Sequence, residues 1–287
     1  MEKYLTGVMK KPNEQKSEDI IGSNNGFFWL LDGATPPAEK KNKELTQQFL
    51  NLFNIALTKY TLECTNTKEL FGKSLNNVHD MFKEKYDLDS FEYLPYSTAV
   101  IFKLGNEIEY TVLSDSYLVI KTKNKAITIT DDRLNHIAVK ERNLVCEMIK
   151  NDIDEKSTEY IQARKNLIYH EMKFQNTTNG YWVAGLNPLV AKEAISGTFP
   201  ISKDEDFLIF AFSDGLARLV THLGTFKDFY ALAEAIEQNG GNSIFTKLRE
   251  LESNKLNFIK PIASKHDDAS FILISNNQYT KKDDINE

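Results

Sequence analysis

The sequence predicts an α+β layered domain, and two buried strands with an antiparallel meander between them carry that expectation. Phe27 to Leu31 is an unbroken apolar run, as expected of a strand covered on both faces. Phe207 to Phe212 is a second such run. Between them, Ser97 to Phe102, Ile108 to Leu113, Tyr117 to Lys121 and Ala126 to Thr130 read as short strands. They are joined by turns such as Gly105-Asn106 and the polar corner Ser114-Asp115-Ser116. Helices, strands, helices and strands follow in that order, which marks a layered α+β chain.

In chain order, residues 3 to 10 form a first strand, Lys11 to Ser17 is polar and turn-like, and Glu18 to Gly22 returns toward a short strand. Ser23-Asn24-Asn25-Gly26 is a turn signal ahead of the buried run. That run ends in Asp32-Gly33-Ala34 and a proline turn at Pro36-Pro37. Glu39 to Tyr60 then places Leu45, Phe49, Leu52, Phe53 and Ala56 at helical spacing, and Thr67 to Tyr86 does the same with Leu70, Phe71, Leu75, Val78 and Phe82. Arg133 to Lys173 is charged and helical, as one bent helix or two. Gly180 to Pro188 is strand and loop, while Phe226–Gln238 and Ser243–Leu251 are helices. Ala269–Ser275 closes the fold as a strand. The expected division is one domain over 1–275 and a polar tail over 276–287.

The 287 residues, 41% of them hydrophobic, suffice for a sizeable core. A formal net charge of −6 argues against general nucleic-acid binding. Cys64 and Cys146 lack metal-ligand spacing and read as buried thiols of a reducing compartment. Neither a signal peptide nor a membrane-length apolar stretch is visible, so a cytoplasmic monomer free of membrane is expected.

Four acids stand at predicted strand ends: Asp32, Asp115, Asp214 and Asp267, with Glu18 as a fifth candidate. A carboxylate at the mouth of a dry strand is costly unless a positive charge sits beside it. Asp is also a common turn former. Two buried strands each ending in Asp-Gly favour convergence of these acids on one cation site. Acids without His or Cys ligands suit hard divalent ions such as Mg²⁺ or Mn²⁺, and glycine lets the backbone approach the ion.

The ordered set Glu18-Asp19, Phe28 to Asp32-Gly33, Ser97-Thr98-Ala99-Val100, Leu113-Ser114-Asp115-Ser116, Phe212-Ser213-Asp214-Gly215 and Asp267-Asp268-Ala269-Ser270 resembles the metal-dependent serine/threonine phosphatases of the type-2C, or PPM, family. The resemblance spans about residues 5 to 275, and Gly180 to Gly185 resembles a bacterial branch. It implies an α-β-β-α sandwich of two antiparallel sheets flanked by helices, with two Mn²⁺ or Mg²⁺ ions at the strand ends. By position, Asp32 would bridge both ions and the Gly33 carbonyl would touch one. Asp214 and Asp267 would bind the other, Glu18 would hold the second through water, and Asp115 matches the ligand of a third, weaker ion. The implied reaction is hydrolysis of phosphoserine or phosphothreonine monoesters in a phosphoprotein by a metal-bridging water.

Three departures bear on turnover. The family's phosphate-clamping Arg falls on Glu14, a proposed leaving-group His falls on Ala34, and the usual Gly before Asp115 is Ser114. Lys16 or Lys11 can stand in as point charges without the bidentate fork. Arg218 is placed either to reach a phosphate or to form a surface salt bridge, and His266 is expected to face solvent. The alternatives to a protein phosphatase are a weak or inactive type-2C-like binding module and a phosphatase of small metabolites.

Overall fold

The computed structural model describes residues 2–34, 40–91, 94–202, 205–260, 262 and 264–276. The proline turn at Pro36-Pro37, the helix start at Glu39 and the tail beyond Asn276 lie outside the described residues. In chain order the elements are β1 (Glu2–Met9), β2 (Asp19–Asn24), β3 (Phe27–Ala34), α1 (Lys40–Tyr60), α2 (Thr67–Lys85), β4 (Tyr96–Leu104), β5 (Glu107–Leu113), β6 (Tyr117–Thr122) and β7 (Ala126–Ile129). There follow α3 (Val139–Lys150), α4 (Thr158–Phe174), β8 (Ala184–Gly185), β9 (Ile195–Pro200), β10 (Phe207–Phe212), α5 (Asp214–Thr221), α6 (Phe229–Asn239), α7 (Gly241–Glu252) and β11 (Ala269–Asn276).

The strands make two antiparallel sheets, ordered β1-β11-β10-β6-β7 and β2-β3-β4-β5-β9, with β8 beside β4. Side chains alternate across each strand, so every apolar strand feeds two cores. From β3, Leu30 enters the space between the sheets, while Trp29 and Leu31 pack under α1 and α2. From β10, Ile209 and Ala211 meet Val100 and Ile272 between the sheets, whereas Phe210 and Phe212 face α5 to α7. This explains the unbroken apolar runs in an antiparallel protein. Each sheet is covered on both faces, by its partner sheet and by helices, as the expected α-β-β-α sandwich requires. Helices α3 and α4 pack on each other around Val145, Met148 and Leu167 in a separate small core, which answers the question of one helix or two.

Two differences from the sequence expectation concern the Asp-Gly junctions. Asp32 and Gly33 remain within β3, paired with Thr98 and Ser97 of β4, so that strand does not end at the carboxylate. Asp214 and Gly215, in contrast, open helix α5 directly after β10. The similar motifs thus present their carboxylates from different backbones. Strand β9 was not expected. Ile195-Ser-Gly-Thr-Phe-Pro buries mainly Phe199, and its glycine and proline suit an outer strand beside β5.

Candidate metal centre

Hairpin β2–β3 sets the first pair of acids. Asn25 and Gly26 form its two-residue loop with φ of 49° and 76°, both in the left-handed region. Such a loop makes Asn24 pair with Phe27, and counting back from there places Asp19 opposite Asp32. Gly33 donates its amide to the Glu18 carbonyl at 3.1 Å. A Cβ on Gly33 would come within 2.8 Å of that carbonyl and 2.5 Å of Leu50, so a side chain cannot be accommodated there without movement.

Asp115 lies where the chain crosses between sheets, from β5 to β6. Ser114 turns the corner at φ 67°, a conformation that glycine adopts more easily, and its hydroxyl donates to Asp115 Oδ1 at 3.2 Å. Asp214 begins α5, and Gly215 after it lies against the 267–268 loop. A Cβ on Gly215 would sit 1.8 Å from the Asp268 carbonyl oxygen. Asp268 is buried and accepts the backbone amides of Lys11 at 2.5 Å and Glu18 at 2.8 Å. It clasps the N-terminal loop to the last strand and presents Asp267 beside it.

These carboxylates act on one another. Burial pushes Asp32 well above the ordinary carboxylate range, and Asp19, Asp214, Asp267 and Asp115 push it further. Burial raises Asp214 to about 7, reinforced by Asp267 and Asp115. Burial raises Asp19 to about 7 as well, and lifts Asp115. Both Asp19 oxygens are buried without a hydrogen-bond partner, although the Ser213 and Ser270 hydroxyls lie near enough to ease the charge. Asp267 is the exception. Burial works against its charge, but Lys11 and Arg218 outweigh that and hold it below the ordinary range.

In donor chemistry, though not in spacing, the set suits a hard divalent cation. It is composed of oxygens, it carries excess negative charge, and both Asp19 oxygens are buried with no hydrogen bond made to them. Among the described residues, no group of three or more His, Cys, Asp or Glu side chains stands at the spacing that would hold a metal ion.

The sequence candidates divide accordingly. Asp32, Asp115, Asp214 and Asp267 are brought together, with Gly33 beside them. The acid that joins them from the Glu18-Asp19 pair is Asp19. Glu18 is buried beside it, with Oε2 4.0 Å from the Lys11 Nζ that also holds Asp267. Lys16 is exposed on the loop, and Glu14 forms an ion pair with Lys43. Arg218 is neither at the surface nor facing open space. It is buried, donates to Asp267 Oδ2 at 2.7 Å and to the Ser264 carbonyl at 3.2 Å, and contacts Glu252 at 3.5 Å.

Glu252, with no exposed surface, also accepts from Arg249 and His266. His266 is therefore partnered at 3.0 Å rather than turned wholly to solvent. Alternating charges run Glu252, Arg218, Asp267, Lys11, Glu18. Sequence reasoning missed Glu252 because a buried acid near the end of an amphipathic helix has no local signature. Asp19 was legible in principle, through the Asn-Gly loop and strand register.

Comparison with solved structures finds the same fold. The catalytic domain of the serine/threonine protein phosphatase PstP, in complex with two manganese ions, aligns over 96% of this chain and 97% of its own at 14% identity, TM-score 0.53. The serine/threonine phosphatase Stp1 from Staphylococcus aureus aligns over 96% and 95% at 14% identity, TM-score 0.55. A C. elegans sex-determining protein aligns over 95% of this chain and 64% of its own at 14% identity, TM-score 0.53. No protein-family model matches the chain, and no curated protein matches it. At such identities the likeness establishes the fold.

Proposed function

We propose that this chain, which has the fold of the PPM-type serine/threonine phosphatases, is a Mn²⁺- or Mg²⁺-dependent phosphatase of phosphoserine and phosphothreonine monoesters. The observation that carries the reading is Asp19 facing Asp32 across the β2–β3 hairpin, its oxygens unsatisfied, within a cluster completed by Asp115, Asp214 and Asp267. Asp32, Asp214, Asp19, Asp267 and the Gly33 carbonyl are the groups that would hold two ions, with Asp115 toward a third. When bound, such ions supply Lewis acidity, lowering the pKa of water and offsetting charge on phosphoryl oxygens. The protein's own part is to hold the carboxylates buried and close to one another, against their tendency to stay protonated. Asp268 does this by pinning the loop that carries Lys11, and Arg218 by fixing one oxygen of Asp267.

Hydrolysis of an aryl phosphate stimulated by Mn²⁺ and stopped by a chelator is the expected result. Asp214→Asn should lower the rate by at least about a hundredfold, a loss typical of removing one stabilising group, with the circular dichroism unchanged. Activity that survives both chelator and substitution rules the reading out.

A second reading, a metal-binding module without turnover, is favoured by the cations near the acids. Arg218 is committed to Glu252 and Asp267, Lys11 to Asp267, and Glu14 stands where the family has its phosphate-clamping arginine. Metal binding with no hydrolysis of any phosphopeptide, unchanged in Glu14→Arg, would select it.

A further inference from the structure

Asp267 is held by two cations of unequal permanence. Arg218 takes Oδ2 at 2.7 Å with only 8% of its side chain exposed, and its remaining contacts to Glu252 and the Ser264 carbonyl fix it in place. Lys11 takes Oδ1 at 3.0 Å with 31% of its side chain exposed. Its backbone is anchored. The Lys11 amide donates to Asp268, and the Arg249 guanidinium bridges the Lys10 carbonyl at 3.1 Å and the Asp267 carbonyl at 2.6 Å. An anchored backbone with a flexible four-carbon stem lets the ammonium leave without unravelling the loop, which the buried arginine fork cannot do.

We propose that Lys11 is an exchangeable counter-cation of the acid cluster: its ammonium holds Asp267 while no divalent ion is bound, and it swings outward when an ion takes that carboxylate. The inference rests on the metal-centre reading above. A divalent ion and an ammonium a few ångströms apart repel strongly in a partly buried site, so the two compete for the same oxygen. The competition raises the free Mn²⁺ or Mg²⁺ concentration at which the cluster fills, making Lys11 the residue that sets a metal threshold.

Calorimetric titration with Mn²⁺ tests this on the full chain. Lys11→Met should bind Mn²⁺ about tenfold more tightly than wild type, within the range usual for coupled sites, and Lys11→Arg should stay near wild type. Unchanged or weaker binding by Lys11→Met overturns the inference and leaves the metal centre standing. Absence of Mn²⁺ binding in wild type and variants alike overturns the metal centre and the inference with it. The wild-type protein supplies an independent measurement should Lys11→Met not fold. Acylation of Lys11 Nζ by an amine-reactive ester, mapped by mass spectrometry, should rise several-fold on adding Mn²⁺, and an unchanged or reduced yield overturns the inference.

Discussion

Asp19 carries a carboxylate that the protein buries and leaves unsatisfied, and this has a measurable consequence for stability. Its proton is held to about pH 7 in the folded chain against an ordinary value of 3.8. Between those values the folded state binds more protons than the unfolded state. The associated stability is therefore full below about 3.8 and is lost as pH rises through about 7. Asp214, also raised to about 7, adds to the same window, and the coupled acids share the transition. Metal-free protein should thus melt at a lower temperature at pH 8 than at pH 5, and Asp19→Asn should flatten that dependence and raise Tm at pH 8. Mn²⁺ at pH 8 should restore wild-type stability by mass action. A variant with the wild-type pH slope in differential scanning calorimetry would remove Asp19 from the account. At this scale the sequence was partly legible. The acids that converge were visible as residues at strand ends, but which member of Glu18-Asp19 turns inward depends on strand parity, and the partners of Arg218 and Lys11 depend on loops far apart in the chain.

Among elements, the junction between α5 and the 267–268 loop brings Asp214 and Asp267 to the same place. Helix α5 starts immediately after β10, and Gly215 in its first turn lets the Asp268 backbone pass close by. The Ser213 amide donates to the Ser270 carbonyl at 3.1 Å, while the Ser270 amide donates to the Ser213 hydroxyl at 3.0 Å, locking the two segments together. Gly215→Ala should force these backbones apart. Its expected outcome is a loss of about 1–3 kcal/mol, the usual cost of overpacking a tight contact, together with weaker Mn²⁺ binding. A variant with wild-type chemical denaturation and metal affinity would contradict the close approach. Both Asp-Gly motifs were legible as motifs, because dry strands followed by glycine are distinctive. That one lies within a strand and the other starts a helix was not, since the same dipeptide suits either backbone. Strand β9 escaped notice for a related reason: only its pairing with β5 makes a Gly- and Pro-containing segment extended.

Across the whole molecule, the two sheets must dock before the cluster exists. Asp19 and Asp32 come from one sheet, Asp214 and Asp267 adjoin strands of the other, and Asp115 sits on the crossing between them. Ile272, fully buried between the sheets, is a probe of that docking. Ile272→Ala should cost about 2–5 kcal/mol, seen as a lower urea midpoint at unchanged slope. A midpoint equal to wild type would show that the inter-sheet layer does not hold the halves together. The layered class was readable because segregated helices and doubly apolar strands leave few alternatives. The pairing of β1 with β11 was not, since nothing local ties Glu2 to Asn276.

That pairing has a consequence for how the protein is made. Residues 2–9 are made long before residues 269–276, their neighbour in the sheet, and the clasp on Lys11 and Glu18 comes from Asp268. During translation β1 lacks its sheet neighbour, and the cluster lacks Asp267, until the segment that forms β11 has emerged. A nascent or prematurely stopped polypeptide therefore carries Asp19 and Asp32 without the carboxylate that completes them. The order of synthesis leaves the acid cluster incomplete until β11 has been made.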